Sequence, residues 1–471
     1  MIRVVIVGAG PAGMAAAYTL SNAEKRHELE VTLIDQGKRV EDRTNGDTDK
    51  AYGVSGVGAF SDGKFIFETE LGKRQIGTNL GDLIGARDRE YLMKAKEFFR
   101  GYYEKTIGKI ERISEERLVK AKEISRIAGI HDIDYIVAND YHIGTDKLPA
   151  FMKTIQDDLE RRGIRIITEQ RVIDFDNKKV YTKDMRKDAN SGKEESYNYD
   201  FLLLAPGRDG STWLHQKLDE KKIAHSSRPI DIGFRIETDA AVIKHLTDIE
   251  RDVKFELTHP NGDKIRTFCV CPYGFVTQER KKPEFGGLDF CLVNGESHSV
   301  NKSNNTNFAL LVRMPLREEG DNAAWGRKLA EAYKEAGVQR IVLQRYGDLK
   351  MQRSSKPNKV KEWRIQPTLP EEEYMVGDVR IAMYSRIMDD IRYAIDRLSV
   401  PGLMEGLNQD STLLYGPEIK MHGINIKTTP YLESVSMPNL YLAGDGTGFT
   451  RGIGGSSSSG ILAAEGILSK L

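Results

Sequence analysis

The chain opens on an almost unbroken apolar run, Ile2 to Val7, the pattern of a central parallel strand covered on both faces. Met14 to Ala23 follows as a helix rich in small residues, and Leu29 to Ile34 as a second strand, so the first segment predicts a β–α–β unit. Residues 43 to 64 mix Gly, Ser, Asp and Asn with aromatics and predict a long ordered loop. Residues 86 to 127 carry Glu, Lys, Arg and Ile at helical spacing and predict two or three helices. A strand at Asp134 to Val137 and a helix from Thr145 to Arg162, stopped at Gly163, come next. Strands are then expected at Ile164 to Ile167, Arg171 to Phe175 and Phe201 to Ala205.

From about residue 228 the pattern becomes alternating. Ile230 to Ile236, Ile265 to Val270, Phe290 to Val293 and Phe308 to Val312 predict a second, antiparallel sheet. Helices are expected on it at 321–336 and 380–398. The chain then returns to a buried strand, Leu440 to Ala443, a glycine-rich turn and a last helix.

The expected fold is α/β. One domain is Rossmann-like, a parallel sheet with helices, assembled from N- and C-terminal segments at 1–80, 128–227 and 420–471. Residues 81–127 form a helical insertion. Residues 228–419 form a substrate or cap domain with a mixed or antiparallel sheet.

The glycines carry the first chemistry. Gly8, Gly10, Pro11, Ala12 and Gly13 stand between a strand and a helix. There the first glycine permits a tight turn, the second lets a pyrophosphate approach the backbone, and the third packs helix on strand. The helix start offers free N–H groups and roughly half a positive charge. Asp35 closes the second strand at the roughly 20-residue spacing of a ribose-binding acid, with Gln36 beside it, and disfavours a 2′-phosphate.

The far end of the chain completes the pattern. Gly444-Asp445-Gly446 follows a strand, and Arg451, Gly452 and Ile453 open a helix. This resembles the second FAD signature of the glutathione-reductase-like flavoprotein superfamily, which implies that Asp445 binds the ribityl or phosphate region. It also implies a last helix aimed at the flavin pyrimidine ring. Val172 fits a strand contacting adenine, and Gly207 fits the turn that returns the chain to the cofactor domain.

Further stretches resemble an FAD-dependent dehydrogenase family of bacteria and archaea, whose name carries a reaction class rather than a substrate. They are Gly58 to Lys64, His142 to Leu148, Arg266 to Pro272 and the turn Gly446 to Gly455. The resemblance implies that Ser61, Asp62 and Lys64 run past the pyrophosphate toward the flavin.

Acid–base candidates are Tyr415 and His422, just before the last strand. Arg451 is a candidate either to neutralise reduced flavin or to grip a carboxylate. Cys269 and Cys271 form a CxC pair in a predicted strand, either small lining residues or a redox couple; they are too few for a zinc site.

The chain of 471 residues has 70 basic and 70 acidic side chains, so its charge gives no footprint for nucleic acid. No apolar run reaches the roughly 18 residues of a membrane span. No secretory leader is expected, and three cysteines suit a reducing cytoplasm. The reading is an FAD-dependent oxidoreductase, a dehydrogenase or C=C reductase, that passes a hydride between flavin N5 and a small organic substrate. Electrons are exchanged with the substrate itself, a separate electron-transfer protein or NAD(P)H, since a second nucleotide motif is missing. A non-catalytic flavin-fold binding or carrier module is the alternative.

Overall fold

The computed structural model describes residues 1–44, 52–61, 63–69, 78–106, 114–186, 192–281, 290–298, 300–314, 322–336, 340–420 and 424–471. In chain order, the first β–α–β unit is β1 (Ile2–Val7), α1 (Pro11–Ser21) and β2 (Leu29–Ile34). Helices α2 (Asp88–Thr106) and α3 (Glu115–Ile130) precede β3 (Ile133–Ile136). They are followed by α4 (Leu148–Arg161), β4 (Arg165–Ile167) and β5 (Phe201–Leu204). Then come β6 (Ile230–Asp239), β7 (Lys254–Thr258), β8 (Lys264–Cys271) and β9 (Asn305–Met314). The rest are β10 (Ile341–Arg345), β11 (Tyr374–Val376), α5 (Ser385–Leu398), β12 (Leu413–Lys420), β13 (Leu440–Leu442) and α6 (Gly452–Leu468).

Five strands make a parallel sheet in the order β13-β5-β1-β2-β4. In β5 all of Phe201–Leu204 is buried, the pattern of a strand covered on both faces. The opening and closing segments of the chain thus share one sheet. Their helices also touch. A Cβ placed on Gly460 of α6 would stand 2.0 Å from the Ala12 carbonyl of α1, so only glycine allows the two backbones to meet this closely. The Ser457 hydroxyl donates to the Pro11 carbonyl at 3.2 Å.

Eight strands form the second sheet, β11-β10-β12-β6-β9-β8-β7-β3, antiparallel apart from the β10–β11 pair. The mixed sheet expected from the sequence is present. Residues 133–136 depart from expectation: they were assigned to the cofactor domain, yet they pair with β7 at the edge of the second sheet. The helical insertion also divides. Phe98 and Phe99 of α2 join the core around the parallel sheet, whereas Ala121, Ile124 and Ala128 of α3 join the core of the second sheet. Among the described residues, no helix is long and apolar enough to cross a membrane.

Strand β6 shows how the second sheet is built. Ile230, Ile232, Phe234 and Ile236 enter the helix-covered core, while Asp231, Arg235 and Glu237 alternate with them and are equally buried. One face is therefore apolar and the other charged but dry.

Replacing Gly460 with alanine forces α6 away from α1 and is expected to cost about 1–3 kcal/mol. Denaturant unfolding checks the loss, and lower flavin retention is expected to accompany it.

Candidate functional site

Both glycine turns open on one cavity of about 1230 Å³, larger than the roughly 300–1,000 Å³ of ordinary ligand pockets. At the first turn Gly8 has φ +98°, and a Cβ there would lie 2.1 Å from the Ala205 carbonyl at the end of β5. Gly10 is the N-cap of α1 and offers no side-chain cap, and Pro11 begins the helix without an N–H to leave unpaired. A Cβ on Gly10 would meet nothing within 4 Å: it would project into the cavity. Gly13 packs instead, with a Cβ only 2.0 Å from the Gly8 carbonyl.

The second turn is its counterpart. Gly444 has φ +82°, and Gly446 lies so close to the Gly207 carbonyl that a Cβ would come within 2.2 Å. Helix α6 also starts without a side-chain cap, and a Cβ on Gly452 would again meet nothing within 4 Å. Asp445 accepts from Ser456 Oγ at 3.1 Å and faces Arg208 Nε at 3.3 Å. Burial raises the Asp445 pKa, and the Arg208 charge opposes that rise.

Two uncapped helix starts and two vacant Cβ directions on one cavity fit a dinucleotide diphosphate. Gly8, Gly10, Pro11, Ala12, Gln36, Ser61, Lys64, Val172, Gly207, Gly444, Asp445, Gly452 and Ile453 all line the cavity, as does Asp35. Asp62 and His422 lie outside the described residues.

Several side chains stand differently from the expectation. The Asp35 carboxylate accepts from the backbone N–H groups of Ala9 at 2.8 Å, Gly37 at 2.9 Å and Gly53 at 2.8 Å. With three of about four acceptor sites occupied, it clamps the glycine turn to its neighbours and can receive about one ribose hydroxyl rather than two. The Lys64 ammonium donates to the Val270 carbonyl at 2.5 Å and lies 3.7 Å from Asp252, which ties the loop to the second sheet. Tyr415 is fully buried, donates its hydroxyl to Glu237 and is no part of the cavity wall. Its place on β12, directly across from Arg235 of β6, removes it from the acid–base candidates. Burial, with Glu237 beside it, holds its pKa well above the ordinary range.

The charged face of the second sheet closes the cavity. Arg235 donates to Glu418 at 3.0 and 3.3 Å and to Asn307 at 2.8 Å, and Lys420 lies 2.9 Å from Glu418. Burial works against the Arg235 charge, yet Glu418 and the neighbouring Cys269 and Cys271 raise its pKa. Nearer the cofactor turns, Arg266 and Arg451 share Asp231, Arg451 at 3.7 Å. Arg451 is pushed down to about 10, first by burial and then by Arg266 and Arg313, with Asp231 opposing. The Phe268 ring lies 5.0 Å from the Arg266 guanidinium and 5.7 Å from the Lys420 ammonium. Sequence reasoning missed Arg208, Arg266, Arg313 and Lys420 as site residues. For Arg266, Arg313 and Lys420 the signal was charges alternating with apolar residues in strands, which ordinarily marks a solvated face; Arg208 lies in the turn after Gly207.

Residues 3–230 match a family model described as FAD dependent oxidoreductase, and residues 229–421 match one described as FAD-dependent protein, C-terminal domain-like. An "Uncharacterized protein" of Clostridium beijerinckii is 24% identical over 501 residues, covering 99% of this chain and 81% of that protein. Among solved structures, pyridoxine 4-oxidase from Mesorbium loti aligns at 11% identity and TM-score 0.43, over 100% of this chain and 99% of that one. Glycine oxidase from Bacillus cereus aligns at 11% identity and TM-score 0.40, over 100% and 96%.

Gly10→Val is expected to yield a folded protein that retains no flavin, because the new side chain meets only the space a pyrophosphate needs. Circular dichroism and visible absorbance check the two halves. Glu418→Ala strands Arg235 and Lys420 in the interior and is expected to cost about 3–5 kcal/mol, read as a lowered denaturation midpoint.

Proposed function

We propose, from the premise that the chain is an FAD-dependent oxidoreductase, that it passes a hydride between flavin N5 and an organic anion of carboxylate type. The observation that carries the substrate class is the convergence of Arg266, Arg313 and Arg451 on the cavity wall, where burial and the neighbouring arginines lower the Arg451 pKa. Among the described residues Asp231 and Asp445 face this cluster, Asp445 shared with Arg208, and a bound carboxylate relieves the repulsion among the arginines.

Bound FAD supplies two-electron exchange at N5. The chain supplies the rest. The start of α1 holds the pyrophosphate, with Gly10 giving it access to the backbone. Asp35 keeps that turn closed, and Gln36 and Val172 form the wall at the adenosine end. Asp445, held by Ser456 and Arg208, receives ribityl hydroxyls. The uncapped start of α6 would lie beside the flavin, and its partial positive charge would stabilise negative charge there by about 0.3–1 kcal/mol. Arg451, Arg266 and Arg313 orient the substrate anion, and Phe268 offers an apolar surface for its carbon skeleton. The narrower kinship with the FAD-dependent dehydrogenases rests on the stretches around Gly58, His142 and Arg266, and belongs to the same proposal.

Arg451→Met is expected to keep FAD bound while raising KM for carboxylate substrates about tenfold or more, the loss of one charge-assisted contact of about 1.5–3 kcal/mol. A screen of organic acids for anaerobic bleaching of the flavin, repeated on the variant, checks it. Bleaching by neutral compounds alone, unchanged in the variant, contradicts the proposal.

A further inference from the structure

The charged face also presents two sulfurs that the hydride reaction does not use. Strand β8 pairs Phe268 with Ala309 and Cys271 with Asn307, so an extra residue is inserted between them. Cys269 sits in that bulge with φ +52°, a left-handed conformation uncommon outside glycine, asparagine and aspartate. The bulge breaks the alternation and brings Cys269 Sγ to 4.0 Å from Cys271 Sγ. A regular strand would instead have placed the two side chains one full pleat apart.

Their surroundings differ in a useful way. Cys269 is partly exposed and lines the cavity, whereas Cys271 is fully buried behind it. The Arg235 guanidinium donates to the Cys269 carbonyl at 3.2 Å. Arg208 lies 3.3 Å from Asp445 and also feels Cys269, which places this thiol near the flavin-binding turn. Arg235, ion-paired with Glu418, and Arg208, ion-paired with Asp445, thus border Cys269. Strained backbone at a cavity wall is where reactive groups collect.

We infer that Cys269 and Cys271 are a redox couple that exchanges two electrons with the bound flavin, Cys269 as the thiol open to the cavity and Cys271 as its resolving partner. On oxidation the two S–H bonds are lost and one S–S bond forms. The flavin takes up both electrons and one proton, and the second proton leaves to solvent. The reverse step reopens the disulfide. Closing the bond needs the sulfurs to approach from 4.0 Å to about 2.05 Å. This inference rests on the oxidoreductase reading and adds a second two-electron store to it.

The test is anaerobic titration of the oxidised holoenzyme with dithionite, together with thiol counting after denaturation. The expected uptake is four electrons per FAD in the natural chain, two for the flavin and two for the disulfide. Cys269→Ser and Cys271→Ser are each expected to take up two. Of the three cysteines, one is expected to react as a thiol in the oxidised protein and all three in the reduced protein. Two-electron uptake by the natural chain, with three thiols already present when oxidised, overturns the inference while the oxidoreductase reading stands. A chain whose flavin accepts no electrons overturns both.

Discussion

Two helices begin without a side-chain cap and open on the same cavity, and the structure is arranged around that fact. Unsatisfied N–H groups at a helix start are costly in a dry interior and favourable beside an anion. Helices α1 and α6 are far apart in the chain yet packed together through Gly460 and Ala12. The parallel sheet enforces this meeting, because β1, β5 and β13 lie side by side and release their chains at one edge. Ligands in open α/β sheets bind at this carboxyl edge. Gly8 against Ala205 and Gly446 against Gly207 lock the turns to one another, so the cradle has little freedom to open.

The second sheet solves a different problem. It must bury one face against helices and still offer a polar surface to a cofactor and a substrate. Strand β6 does so by strict alternation, apolar residues on one side and Asp231, Arg235 and Glu237 on the other. Buried charges are tolerated because each is met: Arg235 by Glu418 and Asn307, Glu237 by Tyr415, Thr368 and Asn305. Nearer the glycine turns, Arg266, Arg313 and Arg451 line the cavity.

Much of this was legible in the sequence, for physical reasons that vary by element. Continuous apolar strands such as Ile2–Val7 and Phe201–Leu204 stand out because both faces are covered, and the glycines betray close backbone approach. The division of the helical insertion was not legible. Whether α3 packs on one core or the other depends on β3 pairing with β7, a contact between segments distant in sequence. Tyr415 misled because nearness to the last strand in sequence is not nearness to the cavity; β12 turns it toward Glu237 instead. Asp35 lines the cavity, but its carboxylate is largely engaged by backbone N–H groups that only the folded loops bring to it. The bulge at Cys269 is likewise a matter of register with β9 rather than of local pattern.

The central claim is that the two distant glycine turns form a single nucleotide site. Heat-denaturing the purified chain and determining the mass and amount of the released nucleotide tests it most directly. One FAD per chain is the predicted result. Release of NAD or FMN, of two nucleotides per chain, or a chain that neither carries nor takes up FAD, contradicts the account.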